Sequence, residues 1–263
     1  LSQDERTRFE IAGGSVTGRS HVLAGRGNQD AYAIRNDGDR IVAVVCDGCG
    51  SGAHSEVGAA LGARMVTALL MRRLAEGADL DDGALFSSLG DDVLAALRPA
   101  ARAAGERLGS TVSDLFLFTV LGVAVQGDRG CVFASGDGIV VVDGETRRLG
   151  PFPGDAPPYI GYGLLGDDAP KLSVVQTFSA TDVRRVLIGT DGAAALADLD
   201  GGQKLAALWD DERHFRNRDG VRRTLALWNR DEVRPLWDER ILSRTRGLLE
   251  DDATLVMLRR KGA

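Results

Sequence analysis

The run Ile41-Val42-Ala43-Val44-Val45 constrains this chain most, because it carries no polar residue at either phase of the strand period. A β-branched run without alternation reads as a central strand buried on both faces, so the fold must place an apolar layer above and below it. Cys46-Asp47-Gly48-Cys49-Gly50-Ser51-Gly52 follows at once and is polar and glycine-rich. Asp47 therefore stands where a core strand surfaces, with glycines beside it that let backbone come close to a ligand. Such a position suits a metal ion or a phosphate.

Composition sets the bounds around that strand. The chain has 263 residues, 44% of them hydrophobic, which is enough to bury a large core. A net charge of -6 and a pI near 5.2 argue against a nucleic-acid partner, because such proteins carry a basic stripe that neutralises phosphates. No apolar run approaches the roughly 18 residues of a membrane span, and the polar start holds no secretory segment. Three cysteines make an odd number and no disulfide framework. These features lead us to expect a cytoplasmic monomer. Cys46 and Cys49 form a CxxC without a second pair for zinc, and are expected as a core residue and a turn residue.

Periodicity places strands at residues 9–16, 31–35, 115–125, 131–134, 139–142, 172–178, 183–188 and 253–258, besides the central one. Asn36-Asp37-Gly38-Asp39 is a hairpin turn that makes strand 31–35 an antiparallel neighbour of strand 41–45. A helix is expected over 55–74 with Val57, Leu61, Met65, Ala68 and Leu69 on its apolar face, ended by Gly77. A second is expected over 81–104 with Leu85, Leu89, Leu94 and Leu97, bent at Pro99. Residues 18–30 read as a loop, 115–142 as a meander, and the Pro/Gly-rich stretch 150–166 as an ordered flap. Residues 203–247 read as a helix-rich insert in a single domain spanning 1–263, with Trp209, Trp228 and Trp237 in its core.

The acidic residues fall at strand ends. Asp47, Asp137 and Asp191 each stand just after an apolar strand, whereas Asp30 and Asp251 each stand just before one. In antiparallel sheets the end of one strand lies beside the start of its neighbour, so five carboxylates can meet on one rim. Singly, each Asp-Gly is an ordinary turn. Together, ionised carboxylates persist only with a cation between them, and hard oxygen ligands favour Mg²⁺ or Mn²⁺.

Six motifs occur in order along the chain: Asn28-Gln29-Asp30, Val45-Cys46-Asp47-Gly48, Gly109-Ser110-Thr111, Ser135-Gly136-Asp137-Gly138, Gly189-Thr190-Asp191-Gly192 and Asp251-Asp252-Ala253-Thr254. In them the chain resembles the PP2C-type (PPM) metal-dependent protein phosphatases, most of all the compact bacterial branch. The resemblance implies an α+β fold, a four-layer α-β-β-α sandwich of two antiparallel sheets flanked by helix pairs. It implies two metal ions, or three, with Asp47 bridging, the Gly48 carbonyl on one ion, Asp191 and Asp251 on the other, Asp30 behind a bound water, and Asp137 with Asp191 at a third site. It implies hydrolysis of phosphoserine and phosphothreonine by a hydroxide shared between two ions. The implied partners are a phosphorylated protein and a Ser/Thr kinase or its targets.

Gly25 stands where that family carries a phosphate-binding arginine, so Arg26, Arg19 and His21 are the candidates to replace it. Cys49 stands where many members carry a histidine, with His54 just beyond. Two other readings are open. One is a catalytically silent phosphatase-like module that binds phosphoproteins. The other is a dinucleotide-binding enzyme built on the strand, turn and helix of residues 45–61, which Asp47 disfavours because a carboxylate repels a pyrophosphate.

Overall fold

The run Ile41-Val42-Ala43-Val44-Val45 lies in β3 (Arg40–Cys46), between β2 (Ala31–Asn36) and β4 (Val120–Gln126), and both pairings are antiparallel. Residues 8–166 and 169–262 are described in this computed structural model. Residues 41–46 are at most 2% exposed. Val42, Val44 and Cys46 point into one apolar cluster, and Ile41, Ala43 and Val45 into another. The period of two thus divides one strand between two cores, as its lack of polar alternation requires.

With β5 (Arg129–Ser135) and β8 (Ser173–Ser179), this sheet runs β2-β3-β4-β5-β8. A second sheet is formed by β1 (Phe9–Val16), β6 (Gly138–Val142), β7 (Glu145–Leu149), β9 (Arg185–Gly189) and β12 (Ala253–Arg260), in the order β1-β12-β9-β6-β7. Between the sheets, Ile41, Ala43 and Val45 meet Val140, Ile188 and Val256. Outside the first sheet pack α2 (Ser55–Ala75) and α3 (Leu85–Ala103). Outside the second pack α5 (Asp191–Asp198), α6 (Gln203–Asp210) and α8 (Gly220–Trp228). The expected α-β-β-α layering is the one observed. No helix among the described residues is long and apolar enough to cross a membrane.

Several local expectations change. α2 buries Gly58, Ala59, Gly62, Ala63 and Val66, while Val57 is 40% exposed. The helix is turned from the face its large residues suggested because it lies close against the ring of Phe118; a Cβ on Gly62 would stand 2.2 Å from that ring. Leu70 and Leu74 complete that face and Leu61, Met65 and Leu69 pack half-buried against the core beside it, so close approach shifts the expected face rather than replacing it. Gly109-Ser110-Thr111 lies inside α4 (Leu108–Leu115), so the strand expected from residue 115 begins only at Val120. The expected meander is broken as well. β5 belongs to one sheet and β6 to the other, so Ser135-Gly136-Asp137-Gly138 crosses between layers. Loop 18–30 contains α1 (Arg19–Leu23).

Residues 203–247 hold α6, α7 (Arg213–Arg216) and α8, but end in a hairpin of β10 (Glu232–Leu236) and β11 (Ile241–Thr245). Trp209 is buried as expected, whereas Trp237 at the hairpin turn is 82% exposed. An isolated two-stranded hairpin has no second layer on which to bury a side chain.

Candidate active site and metal centre

Strand register builds the floor of the site. Cys46 pairs with Ala31, so Asp47 and Asp30 leave and approach the sheet side by side. Asp47 is clamped through its backbone: its N–H donates to Thr119 Oγ1 (3.1 Å), and its carbonyl accepts from Thr119 N–H (2.8 Å). Gly48 continues the ladder as a bridge to Phe118. β9 and β12 form the facing pair, with Gly189 opposite Leu255. Thr190 N–H donates to Thr254 O (2.9 Å), Thr254 N–H donates to Thr190 Oγ1 (3.1 Å), and the Thr190 hydroxyl donates to Asp30 Oδ2 (2.7 Å). One threonine thus joins the two sheets beneath the site. Asp191 opens α5, and its neighbour Gly192 packs so tightly on the 251–252 turn that a Cβ there would lie 1.9 Å from Asp252 O. Only glycine lets the helix start so close to that turn.

Asp47, Gly48, Asp137, Asp191 and Asp251 line a single cleft of about 460 Å³, together with His21. Pro151, Phe152, Pro157 and Tyr159 from the Pro/Gly-rich stretch line the same cleft. Asp30 lies buried beneath and outside the lining. Desolvation, followed by the charges on Asp30 and Asp191, raises the Asp47 carboxyl well above the usual range. Asp191 is raised by desolvation and then by Asp251. Asp30 is pushed up to about 7, mainly by burial, against the hydrogen bonds from Thr190 and Thr254 that favour its ionised form. Carboxylates that raise one another in this way need protons or cations, and an all-oxygen donor set matches Mg²⁺ or Mn²⁺. The residues present therefore fit the metal that the sequence resemblance implies.

The cationic candidates fare differently. Arg26 is exposed, and its Nη1 donates to Gly50 O (2.5 Å). Arg19 is ion-paired to Glu250. Neither lines the cleft. His21 does line it, with Nε2 3.7 Å from Asp251 and Nδ1 2.8 Å from Asp252. His54 is a surface residue before α2, paired with Glu56. Cys49 and Cys46 are free thiols, and hydrogen bonds from Ser51 and Tyr159 outweigh burial to hold Cys49 below its ordinary pKa.

Three residues had no assigned role from sequence. Asp252 is 3% exposed and accepts from Gly18 N–H (2.7 Å), Gln29 N–H (2.5 Å) and His21, so it orients the imidazole and seals the loop. With Asp251 and His21 it makes a set whose ligand atoms lie within 4.8 Å of one another. Its place in Asp251-Asp252-Ala253-Thr254 was the available signal. Thr190, in Gly189-Thr190-Asp191-Gly192, had a similar one. Arg148, which also lines the cleft, sits in an exposed strand that the sequence did not mark.

The sequence profile of the Protein phosphatase 2C family matches residues 17–228. The chain belongs to that family. By membership the phosphatase acts on protein substrates, and its solved structural neighbours share its fold at low identity. A substituted form of a bacterial serine phosphatase is 17% identical, with a TM-score of 0.60 over 97% of this chain and 100% of that one. Serine/threonine phosphatase Stp1 from Staphylococcus aureus is 16% identical, with a TM-score of 0.57 over 97% and 96%. The catalytic domain of serine threonine protein phosphatase PstP, solved with two manganese ions, is 15% identical with a TM-score of 0.50 over 95% and 97%. No curated protein sequence matches the phosphatase. The antiparallel neighbours of β3 also remove the dinucleotide-binding reading, which needs a parallel sheet.

Proposed function

We propose that the phosphatase hydrolyses phosphoserine and phosphothreonine esters on proteins with the help of two or three divalent ions, Mg²⁺ or Mn²⁺. Asp47, Asp191 and Asp251 would hold the ions with the Gly48 carbonyl, Asp137 would serve a third, and Asp30 would act from beneath. The convergence of four of these carboxylates on one cleft carries this reading. When bound, such ions polarise phosphoryl oxygens and lower the pKa of water, which supplies a nucleophile near neutral pH. The protein's own part is to fix the carboxylates. Thr119 sets the height of Asp47, Thr190 holds Asp30, and the tight start of α5 sets Asp191. Asp252 keeps His21 at the cleft edge, where it can meet a substrate oxygen.

The partner in this reading is a phosphorylated signalling protein, a Ser/Thr kinase or one of its targets, met by a cytoplasmic monomer. Bacterial phosphatases among the structural neighbours support that setting. Phosphate release from a phosphothreonine peptide, with and without Mn²⁺ and with a chelator control, tests the reading. Mn²⁺-dependent release is expected. A silent phosphoprotein-binding module is the alternative, favoured by Gly25 and by the capture of Arg19 by Glu250 and of Arg26 by Gly50 O. Binding of the peptide without turnover would select it.

A further inference from the structure

We propose that Arg148 grips the substrate phosphate in place of the arginine lacking at Gly25. The inference rests on the phosphatase reading above and adds a residue to it. A phosphate ester that approaches four carboxylates needs a cation for the oxygens the metal ions do not hold, and guanidinium suits that task through two parallel N–H donors. Among the described residues that line the cleft, Arg148 alone carries a guanidinium.

Its place in the fold fits the role. Arg148 pairs with Ile139 of β6, next to the pair Gly138 and Leu149, and so lies beside the crossover that carries Asp137. Its neighbour Arg147 points to the other face and donates to Val175 O (2.6 Å), as strand alternation demands. Arg148 Nη2 donates to Ala194 O (2.9 Å) and pairs with Asp198 Oδ1 (2.6 Å), so the helix that begins with Asp191 also braces the guanidinium. Both contacts use Nη2, which belongs to both two-donor edges of the guanidinium, Nε with Nη2 and Nη1 with Nη2, so a phosphate gains two donors by displacing Asp198. The pair with Asp198 is exposed, at 45% and 72% for the two side chains, and such a pair contributes little and exchanges readily. Arg148 is thus held at the cleft by a contact that a phosphate dianion can outcompete.

The test compares Arg148→Ala, Arg148→Lys and Asp198→Ala with the unaltered phosphatase in Mn²⁺. Arg148→Ala should raise KM for a phosphothreonine peptide, and Ki for inorganic phosphate, by ~10–100-fold, the range for a lost charge-assisted hydrogen-bond pair. The Mn²⁺ affinity and kcat should stay within about 3-fold, because the group removed binds the phosphate rather than the metal. Arg148→Lys should recover part of the loss. Asp198→Ala should leave KM no higher than that of the unaltered protein, because it removes the carboxylate with which the phosphate competes. Unchanged KM and Ki in Arg148→Ala, or an equal loss in Asp198→Ala, would overturn the assignment, the latter by making Arg148 a brace for α5. If the unaltered protein releases no phosphate, the phosphatase reading fails. Calorimetric binding of the peptide then judges Arg148 separately, since the Ala variant must still bind ~10-fold more weakly.

Discussion

The floor of the cleft and its outer rim are built by different means. On the floor, Asp47, Asp30 and Asp191 stand at the ends of paired strands, where register and the Thr119 and Thr190 hydrogen bonds leave each carboxylate one place to be. On the rim, residues 18–26 form a short helix and loop, and each side chain goes to whichever partner captures it. Arg19 goes to Glu250, Arg26 to Gly50 O, and only His21, held by buried Asp252, turns to the cleft. A residue at a strand end takes its direction from the ladder that carries it. A loop residue takes its direction from the partner that captures it.

The sharpest way to break this contrast is on the floor. Asp47→Asn or Asp191→Asn should lower Mn²⁺-dependent phosphate release by more than about 100-fold while the far-UV circular dichroism stays that of the unaltered protein, since metal and transition-state charge are lost together. Retained activity in either variant would remove the floor from the chemistry.

Thr190→Val keeps the shape and deletes the hydroxyl that serves Asp30 and the Thr254 amide. It should cost about 1–3 kcal/mol in urea unfolding, because two buried polar groups lose a partner. A cost near zero would mean that the two sheets do not depend on this latch.

Acidity gives a third measure. In the metal-free protein Asp30 titrates at about 7 against an ordinary 3.8, so the folded state binds more protons than the unfolded one between those values. Stability from this group should be greatest at the acid end of that window and decline as pH rises to about 7, then level off. Mn²⁺ should reverse the slope, because an ion replaces the proton and binds better as the carboxylates ionise. Melting temperatures at several pH values, with and without Mn²⁺, read both slopes. A metal-free melting temperature that climbs over the window would contradict the sign.

The smallest effect is expected on the rim. Arg19→Ala and Arg26→Ala should change kcat/KM by less than about 3-fold, as neither side chain lines the cleft. A larger loss in either would show that the loop turns inward when substrate is bound, and would bring the rim closer to the floor in kind.

Much of the floor was legible in the chain. The unbroken apolar run of β3 required a strand with a core on each face, and the hairpin turn Asn36-Asp37-Gly38-Asp39 required antiparallel pairing, which together put Asp30 beside Asp47. The face of α2 was legible only in part, since Leu61, Met65 and Leu69 do pack against the core while Val57 is exposed. Periodicity ranks residues by size, whereas burial there follows how near the backbone comes to Phe118. The step from β5 to β6 also escaped, since the four residues 135–138 can make a tight turn or cross between sheets, and only the second sheet's need for β6 selects between them.

By itself, then, the sequence determined most of the strands, the antiparallel pairing of β2 with β3 and the set of acidic residues at strand ends, because hydrophobic period and turn chemistry are local properties, while β7, β10 and β11 went unread. The tertiary structure decided which cations reach the cleft. Asp252 holds His21 there, Glu250 pairs with Arg19 outside it, and Arg148 arrives from a strand that the sequence did not mark. Side-chain direction in loops and exposed strands depends on partners far away in the chain, and no local pattern records who those partners are.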